Sequence, residues 1–275
     1  MNNGTAIKEG TVRYLVKIWS YLPANLRLLV VKAVQRNNRL YRRLLFRHID
    51  AKDRENASHT LLPPAELRHR VSCSPDAEGF VMIGAACVRD IQSALSKVGR
   101  ELGSFERILD FGCGCGRTLI QLAKHTPSAQ IDGTDIDPDA IAWCRAHLTF
   151  ARFSVGNATP PTGYQSDMFD FIYAISVFTH LNEDYQFRWL GELRRIARDG
   201  AILLLTVDSS KAGEEEFVFE NSYEEGLFPA WYQNAFHSRD YVFDKFSSYF
   251  NVLGYYPRGM NNHQDVVLLQ KSPAS

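Results

Sequence analysis

Three glycines at alternate positions, the first of them two residues after an acidic residue, constrain this chain more than any other feature. A short apolar segment ends in Asp110, and Gly112, Gly114 and Gly116 come before a helix-forming run. Glycine reaches positive φ and lacks a side chain, so a strand-to-helix turn of this kind brings backbone N–H groups close to a ligand. A dinucleotide-binding fingerprint would place its third glycine at the position of Arg117. The spacing therefore argues against a dinucleotide.

Segments with strand character and segments with helical character alternate from about residue 105 to residue 207. The strand candidates are short and mostly apolar, as strands buried in a parallel sheet are. They lie at 107–111, 129–135, 152–155, 169–175 and 201–207. Two more candidates, near 251–256 and 264–271, fit a closing antiparallel hairpin. This order predicts an α/β fold with a doubly wound sheet of seven strands.

Capping residues mark the helices between these strands. Asp137 followed by Pro138 predicts a helix start, because an N-cap acceptor and a proline at the first helical position both favour one. A second helix is predicted over 184–198, where Asp199 and Gly200 would end it. Further helices are predicted over 238–250, capped by Ser238, and over 76–98, which would cover the mouth of the ligand site.

The charge of the chain is unevenly distributed although its sum is zero. Residues 1–50 contain ten Lys and Arg against two acidic residues, a surplus of eight that the remaining residues offset. Zero net charge provides no overall field that would recruit nucleic acid, so we expect no such partner. Residues 1–75 are predicted to be a basic helical extension ending in a linker over 50–74, and residues 76–275 to be the main domain.

The extension contains a basic amphipathic stretch over 11–47, with leucines at helical intervals. Such a helix could lie on an anionic membrane surface. It could equally pack its apolar face on the main domain or mediate homodimer formation, and we favour these two interpretations. The longest wholly apolar run near the start, residues 28–31, is far too short to span a bilayer, and no signal peptide is recognised. We therefore expect a cytoplasmic protein.

The five cysteines are odd in number and irregularly spaced, as is typical of proteins in a reducing compartment. Cys113 and Cys115 stand one residue apart, which suggests either a soft-metal site or side chains small enough for a crowded glycine turn. No His or Cys pair has zinc-finger spacing. We expect no metal.

The pattern Asp-x-Gly-x-Gly-x-Gly resembles the first motif of class I S-adenosylmethionine-dependent methyltransferases. The resemblance implies a Rossmann-like domain with S-adenosylmethionine as cofactor, and it is nearest to a bacterial group proposed to modify sugars, surface polymers or secondary metabolites. The segments that carry it are Pro63–Leu67, Phe80–Gly84, Phe111–Arg117, Asp135–Asp137, Ile141–Cys144, Ser176–Leu181 and Gln264–Val267.

The resemblance implies which residues bind the cofactor. The first turn, with Asp110, Gly112, Cys113, Gly114 and Gly116, would hold the aminocarboxypropyl end, where Asp110 can engage the ammonium group. Asp135 would accept hydrogen bonds from the ribose, unless it is a second helix cap, and Asp137 is explained as the cap itself. The other cofactor contacts implied are Ile136 on the adenine face, Asn157 and Ala158 at the adenine amino group, and Ser176 beside the methyl group.

His180 follows the fourth strand and is the candidate catalytic base, since histidine titrates in the useful range and a hydroxyl acceptor must lose its proton. The alternative is that His180 caps or packs beneath the next helix. Residues 223–237 are dense in aromatics and are predicted to cover the acceptor pocket. Further candidate acceptor contacts are Tyr173, Tyr232, His237, Arg239, His263 and Asp265.

Taken together, these residues predict an enzyme that moves a methyl group from S-adenosylmethionine to a small-molecule or saccharide-like acceptor. Oxygen is the favoured acceptor atom because a candidate base is present. One alternative is a non-catalytic S-adenosylmethionine-binding protein that recruits a partner through its helical N-terminus. Another is a nicotinamide oxidoreductase, which the glycine spacing and the closing hairpin disfavour.

Overall fold

The computed structural model describes residues 38–55, 61–212, 216–220 and 233–273. Predictions for the first 37 residues, which include most of the basic stretch, and for residues 221–232, which include Tyr232, lie outside the described part. Within that part no helix combines the length and the apolar character needed to cross a bilayer.

A seven-stranded sheet forms the centre of the molecule. Its order is β3-β2-β1-β4-β5-β9-β8, in which β1 to β5 run parallel and β9 is antiparallel to both β5 and β8. This confirms the predicted doubly wound sheet and its closing hairpin. The strands are β1 Arg107–Phe111, β2 Gln130–Asp135, β3 Ala151–Val155, β4 Phe169–Ala174, β5 Ala197–Val207, β8 Asn251–Met260 and β9 Gln264–Gln270, and a separate antiparallel pair consists of β6 Phe217–Glu220 and β7 Asn234–His237.

Helices cover both faces of the sheet. Alternate residues of β1 point to opposite sides, so that Ile108 packs with Ile91 and Leu119 while Leu109 packs with Trp189 and Leu193. The two apolar layers make β1 buried along nearly all its length, as a central parallel strand should be. The helices are α1 Asn38–Glu55, α2 Ala65–Ser72, α3 Ala77–Ser96, α4 Leu119–Leu122, α5 Pro138–His147, α6 Glu183–Ile196 and α7 Arg239–Phe246.

Side-chain caps start several helices where the sequence predicted them. Asp137 accepts hydrogen bonds from the backbone N–H groups of Asp139 and Ala140 at the start of α5. Ser238 accepts one from the N–H of Tyr241 at the start of α7. Both assignments are therefore confirmed.

The predicted end of the α6 helix at Asp199 and Gly200 is wrong. The helix ends at Ile196, and both residues belong to strand β5, which begins at Ala197. Gly200 has φ +78°, and the pairing of β4 with β5 is irregular there. The glycine therefore allows a strand irregularity, which has the same local backbone signature as a helix end.

The prediction of a linker over 50–74 is also wrong. Helix α1 continues to Glu55, and α2 occupies 65–72. The reason is Arg68, whose side chain is 1% exposed and forms an ion pair with Asp53. It also donates to the backbone carbonyls of Pro63 and Pro75, both 2.8 Å away. A buried guanidinium with three partners holds this segment in place.

Candidate functional site

The glycine turn lies at the carboxyl end of β1 and is shaped by positive φ angles. Gly112, Gly114 and Gly116 have φ of +83°, +52° and +80°. A Cβ on Gly112 would lie 2.3 Å from a methyl carbon of Val177, and one on Gly114 would lie 2.5 Å from a methyl carbon of Val71. The turn therefore needs glycine both for its backbone conformation and for its close packing.

Four backbone N–H groups of this turn are bonded within the protein. Those of Gly112 and Cys113 donate to the carbonyl oxygen of Thr134, at 2.8 and 3.0 Å, and that of Gly116 donates to the carbonyl of Cys113. The N–H of Gly114 donates to Asp135 Oδ2 at 2.7 Å. Strand β2 thus uses the N–H groups of Gly112, Cys113 and Gly114 to hold the turn, so these three donors are already engaged within the protein.

Asp110 ends β1 as a carboxylate that is 3% exposed. The hydroxyl of Tyr173, its register partner on β4, donates to Oδ2 at 2.8 Å. Burial raises the pKa of Asp110 to about 7, and the nearby charge of Asp135 adds to the rise, while Tyr173 and Arg117 oppose it. The site thus holds a carboxylate whose ionisation would be favoured by a cationic ligand.

Asp135 ends β2 and ties two loops together. Its Oδ2 accepts from Gly114 N–H, and its Oδ1 accepts from Asp137 N–H at 2.8 Å. Burial raises the pKa of Asp135, and these two backbone donors lower it in part. The carboxylate is partly exposed and lies directly beside the glycine turn.

Three of the predicted adenine contacts form an accessible rim after β2 and β3. Ile136 is 41% exposed, which is unusual for isoleucine at the end of a buried strand. Asn157 and Ala158, just after β3, are exposed as well. Because β2 and β3 are parallel neighbours, the three residues lie at the same edge of the sheet.

Ser176 follows β4 and has φ +57°, a conformation that few residues other than glycine adopt. Its N–H donates to Thr206 Oγ1 at 2.8 Å, and its hydroxyl lies 3.0 Å from Gln264 Oε1. No sequence pattern pointed to Thr206. Gln264 was part of the resemblance but had no assigned role. These two residues hold Ser176 in a strained conformation at the edge where the ligand should bind.

His180 closes a short 3-10 turn, Phe178–His180, after β4. Its Nδ1 lies 2.8 Å from the carbonyl oxygen of Gln233, so this nitrogen carries the proton and Nε2 carries the lone pair. Burial lowers the pKa of His180, which favours the neutral ring at pH 7. A neutral imidazole can accept a proton.

Among the further candidate acceptor contacts, some side chains are buried and bonded within the protein and others are not. Tyr173 and His237 are fully buried and bonded to protein groups, and Asp265 accepts from the hydroxyl of Tyr255 and from the N–H of Arg258. Arg239 stacks its guanidinium on the Phe243 ring, with 5.1 Å between them. The buried groups are therefore in positions that support other residues.

The cysteines of the turn are packing residues. Cys113 and Cys115 are buried, and burial raises the pKa of both thiols. No group of three potential metal ligands occurs in the part of the chain that the structure describes. The described residues include all five cysteines and contain no disulfide.

Helix α2 covers the glycine turn, which the sequence did not predict. Val71 fills the space beside Gly114, and Arg117 Nη1 donates to the Val71 carbonyl at 2.9 Å. The predicted cover, α3, instead packs Gly84 against the backbone of Arg117. The motif Pro63–Leu67, which lies at the start of α2, was the available sequence signal.

Comparisons with known proteins agree with this geometry. A family model described as a methyltransferase domain matches residues 109–203. The fold is similar to that of 1,6-didemethyltoxoflavin-N1-methyltransferase from Burkholderia thailandensis, solved with 1,6-didemethyltoxoflavin and S-adenosylhomocysteine, with a TM-score of 0.53, 16% identity, and 78% of this chain and 93% of that chain covered. It is also similar to the glycopeptide N-methyltransferase MtfA, solved with sinefungin, with a TM-score of 0.52, 13% identity, and 70% and 87% covered. The chain therefore matches a methyltransferase-domain model over residues 109–203 and has the fold of S-adenosylmethionine-dependent methyltransferases.

Proposed function

We propose that this protein transfers a methyl group from S-adenosylmethionine to a hydroxyl oxygen of a small-molecule or saccharide-like acceptor. The observation that carries the proposal is the pairing of two groups at one sheet edge. Asp110 is a buried carboxylate poised for a cation at the end of β1, and His180 is a neutral imidazole just beyond β4, the neighbouring strand.

The residues present fit this cofactor. An ammonium group needs negative charge nearby rather than backbone N–H donors, four of which the turn already uses. Asp110 supplies that charge once ionised, at the carboxyl end of β1 beside the glycine turn. Asp135 would accept from the ribose hydroxyls, with the Ile136 side chain against the adenine and Asn157 near its amino group.

S-adenosylmethionine, when bound, supplies an electrophilic methyl group on a sulfonium centre. The chain must then position an acceptor in line with that methyl and provide a place for its proton. We assign the proton to His180 Nε2, because Nδ1–H is bound to the Gln233 carbonyl. The imidazolium that forms would release the proton to water after each turnover. Ser176, fixed by Thr206 and Gln264, would border the transferred methyl.

The acceptor class rests on the resemblance to enzymes of sugars, surface polymers and secondary metabolites. The two neighbours named above are N-methyltransferases, so amines belong in any acceptor screen beside hydroxyl compounds. The alternative of a non-catalytic S-adenosylmethionine-binding protein predicts cofactor binding without turnover on any acceptor. A cytoplasmic location, which the cysteine content favours, is part of the same proposal.

Two measurements test the proposal. Calorimetry with S-adenosylmethionine and S-adenosylhomocysteine tests the cofactor site, and absence of binding by both would refute it. Release of S-adenosylhomocysteine over a panel of hydroxyl and amine acceptors tests the reaction. With a hydroxyl acceptor, we expect His180→Ala to lower kcat by roughly 10²- to 10⁴-fold, the range for loss of a general base. An unchanged kcat would remove His180 from the chemistry.

A further inference from the structure

A fully buried glutamine on α6 connects the turn that carries His180 to strand β7. Gln186 Nε2 donates to the carbonyl oxygens of Phe178 and Leu181, at 3.1 and 2.9 Å. Its Oε1 lies 2.8 Å from His237 Nε2. Gln186 and His237 are both 0% exposed. The two carbonyls flank His180 in sequence, so the glutamine clamps the turn on either side of that residue.

The hydrogen bonds fix the state of each group in this chain. Two carbonyl acceptors require the NH₂ end of Gln186 to face the turn, which leaves only its oxygen for His237. His237 must then present an Nε2–H, and its Nδ1 is a lone-pair acceptor that finds no hydrogen-bond partner among the described residues. Burial among the rings of Phe217, Tyr241 and Phe246 disfavours a charge on His237 and lowers its pKa to about 3.

Strand β7 therefore contacts the 3-10 turn at both of its ends. Gln233, immediately before β7, accepts the Nδ1–H of His180, and His237, the last residue of β7, acts on the same turn through Gln186. The strand is held in turn by the His237 N–H, which donates to the Asp208 carbonyl after β5 at 2.8 Å. The position of His180 thus depends on β7.

We propose that Gln186 and His237 are positioning residues for His180, which hold its ring and its Nδ1–H tautomer in the orientation required of a base. The inference rests on the proposed function only in assigning His180 the role of a base. The coupling itself is a property of the protein without cofactor or acceptor. It also explains why a neutral histidine and a glutamine occupy a core position that apolar residues could fill.

The test observes the imidazole nitrogens directly. Protein labelled with ¹⁵N-histidine is examined by long-range ¹H–¹⁵N correlation NMR at pH 7, where each neutral ring reports which nitrogen carries the proton. The chain has eight histidines, and the variants assign the two of interest. We expect His180 as the Nδ1–H tautomer and His237 as the Nε2–H tautomer. The opposite tautomer at either residue would overturn the proposal.

Two substitutions at one position separate the hydrogen bond from the packing. His237→Phe keeps an aromatic ring but removes the donor to Gln186, whereas His237→Gln keeps an N–H donor at a similar depth. We expect His180 to show a mixture of tautomers in His237→Phe. In His237→Gln we expect it to keep the single Nδ1–H tautomer of the wild-type protein. If His237→Phe does not fold, Gln186→Met gives the same readout, because it removes the clamp on the turn.

A matched control is available on the surface. Gln92 Nε2 lies 3.4 Å from His125 Nδ1, an exposed glutamine–histidine pair, so His125→Phe should leave the His180 signals unchanged. An unchanged His180 tautomer in both His237→Phe and Gln186→Met would refute the coupling, even with cofactor binding intact. Conversely, if the variants change the His180 tautomer but the protein binds no cofactor, the proposed function is refuted and the positioning role of Gln186 and His237 is retained.

Discussion

The Asp110 carboxylate is almost fully buried, and it accepts a hydrogen bond from the hydroxyl of Tyr173. A carboxylate of this kind is half ionised near pH 7, since its pKa is about 7. Cation binding requires the ionised form, so protonation below pH 7 competes with the cofactor. The pH of an assay should therefore change cofactor affinity.

We predict that the Kd of S-adenosylmethionine is roughly tenfold higher at pH 6 than at pH 8, because the ionised fraction of Asp110 falls about tenfold over that interval. Asp110→Asn keeps an acceptor for Tyr173 and removes the charge. This variant should bind the cofactor roughly 10- to 100-fold more weakly, with the pH dependence lost. Calorimetry from pH 6 to 8 checks both statements. A flat wild-type profile would contradict the assignment.

The turn glycines are tested by Gly112→Ala. The added methyl would meet Val177 at 2.3 Å on a backbone with φ +83°, so strain and overpacking act together. We expect the free energy of unfolding to fall by roughly 2–4 kcal/mol in urea titrations. Gly163→Ala is the matched control, since no atom lies within 4 Å of the new Cβ there, and it should change stability by less than about 0.5 kcal/mol. Equal effects would refute the steric account.

At the scale of elements, a few contacts hold α2 against the glycine turn that follows β1. Arg117 donates to the Val71 carbonyl and to Ser72 Oγ, at 2.9 and 3.2 Å. Arg70 forms ion pairs with Asp137 and Asp139, but its side chain is 41% exposed, so these pairs contribute little. The contacts of Arg117 should therefore contribute, beside those of Arg68, to how often α2 opens.

We predict that Arg117→Met raises amide hydrogen exchange across residues 65–72 by roughly tenfold or more, the effect of losing hydrogen bonds from a charged group. Arg89→Met, at an exposed position of α3, is the control and should leave exchange in α2 unchanged. Mass spectrometry of the exchanged peptides measures both. Unchanged protection of α2 in Arg117→Met would show that the contacts of Arg117 do not hold the helix.

The elements themselves were predicted unevenly. The caps Asp137 and Ser238 were recognised because a side-chain acceptor before a helix has a purely local cause. The helix end predicted at Asp199 and Gly200 was wrong because a glycine with positive φ occurs both at helix ends and at strand irregularities. The cover by α2 was missed because it depends on Val71 meeting Gly114, a contact between residues far apart in sequence.

At the scale of the whole molecule, α1 and α2 join the extension to the sheet. Asp50 accepts from the N–H of Ala65 at 2.7 Å, and Asp53 pairs with the buried Arg68. Leu67, which the division at residue 75 assigns to the extension, lies in the core of the main domain. That division stays a prediction, and truncation tests it.

We predict that a chain beginning at residue 56 unfolds with a free energy about 2–4 kcal/mol lower than a chain beginning at residue 38. The shorter chain leaves the Arg68 guanidinium buried without its carboxylate, which is costly. Urea titrations of the two chains give the difference. Equal stabilities would mean that α1 contributes nothing to the main domain. Asp53→Asn in the longer chain should reproduce part of the loss.

The sequence by itself determined the class of fold and indicated where the candidate site lies, because glycine spacing, apolar periodicity and helix caps act within a few residues along the chain. It also identified Asp110, Asp135 and His180 as the residues to examine. Only the tertiary structure decided that four of the turn's N–H groups are bonded within the protein, that α2 covers the turn, and that Gln186 connects the His180 turn to His237. Those features are contacts between distant segments, and their energies depend on burial that no local pattern encodes.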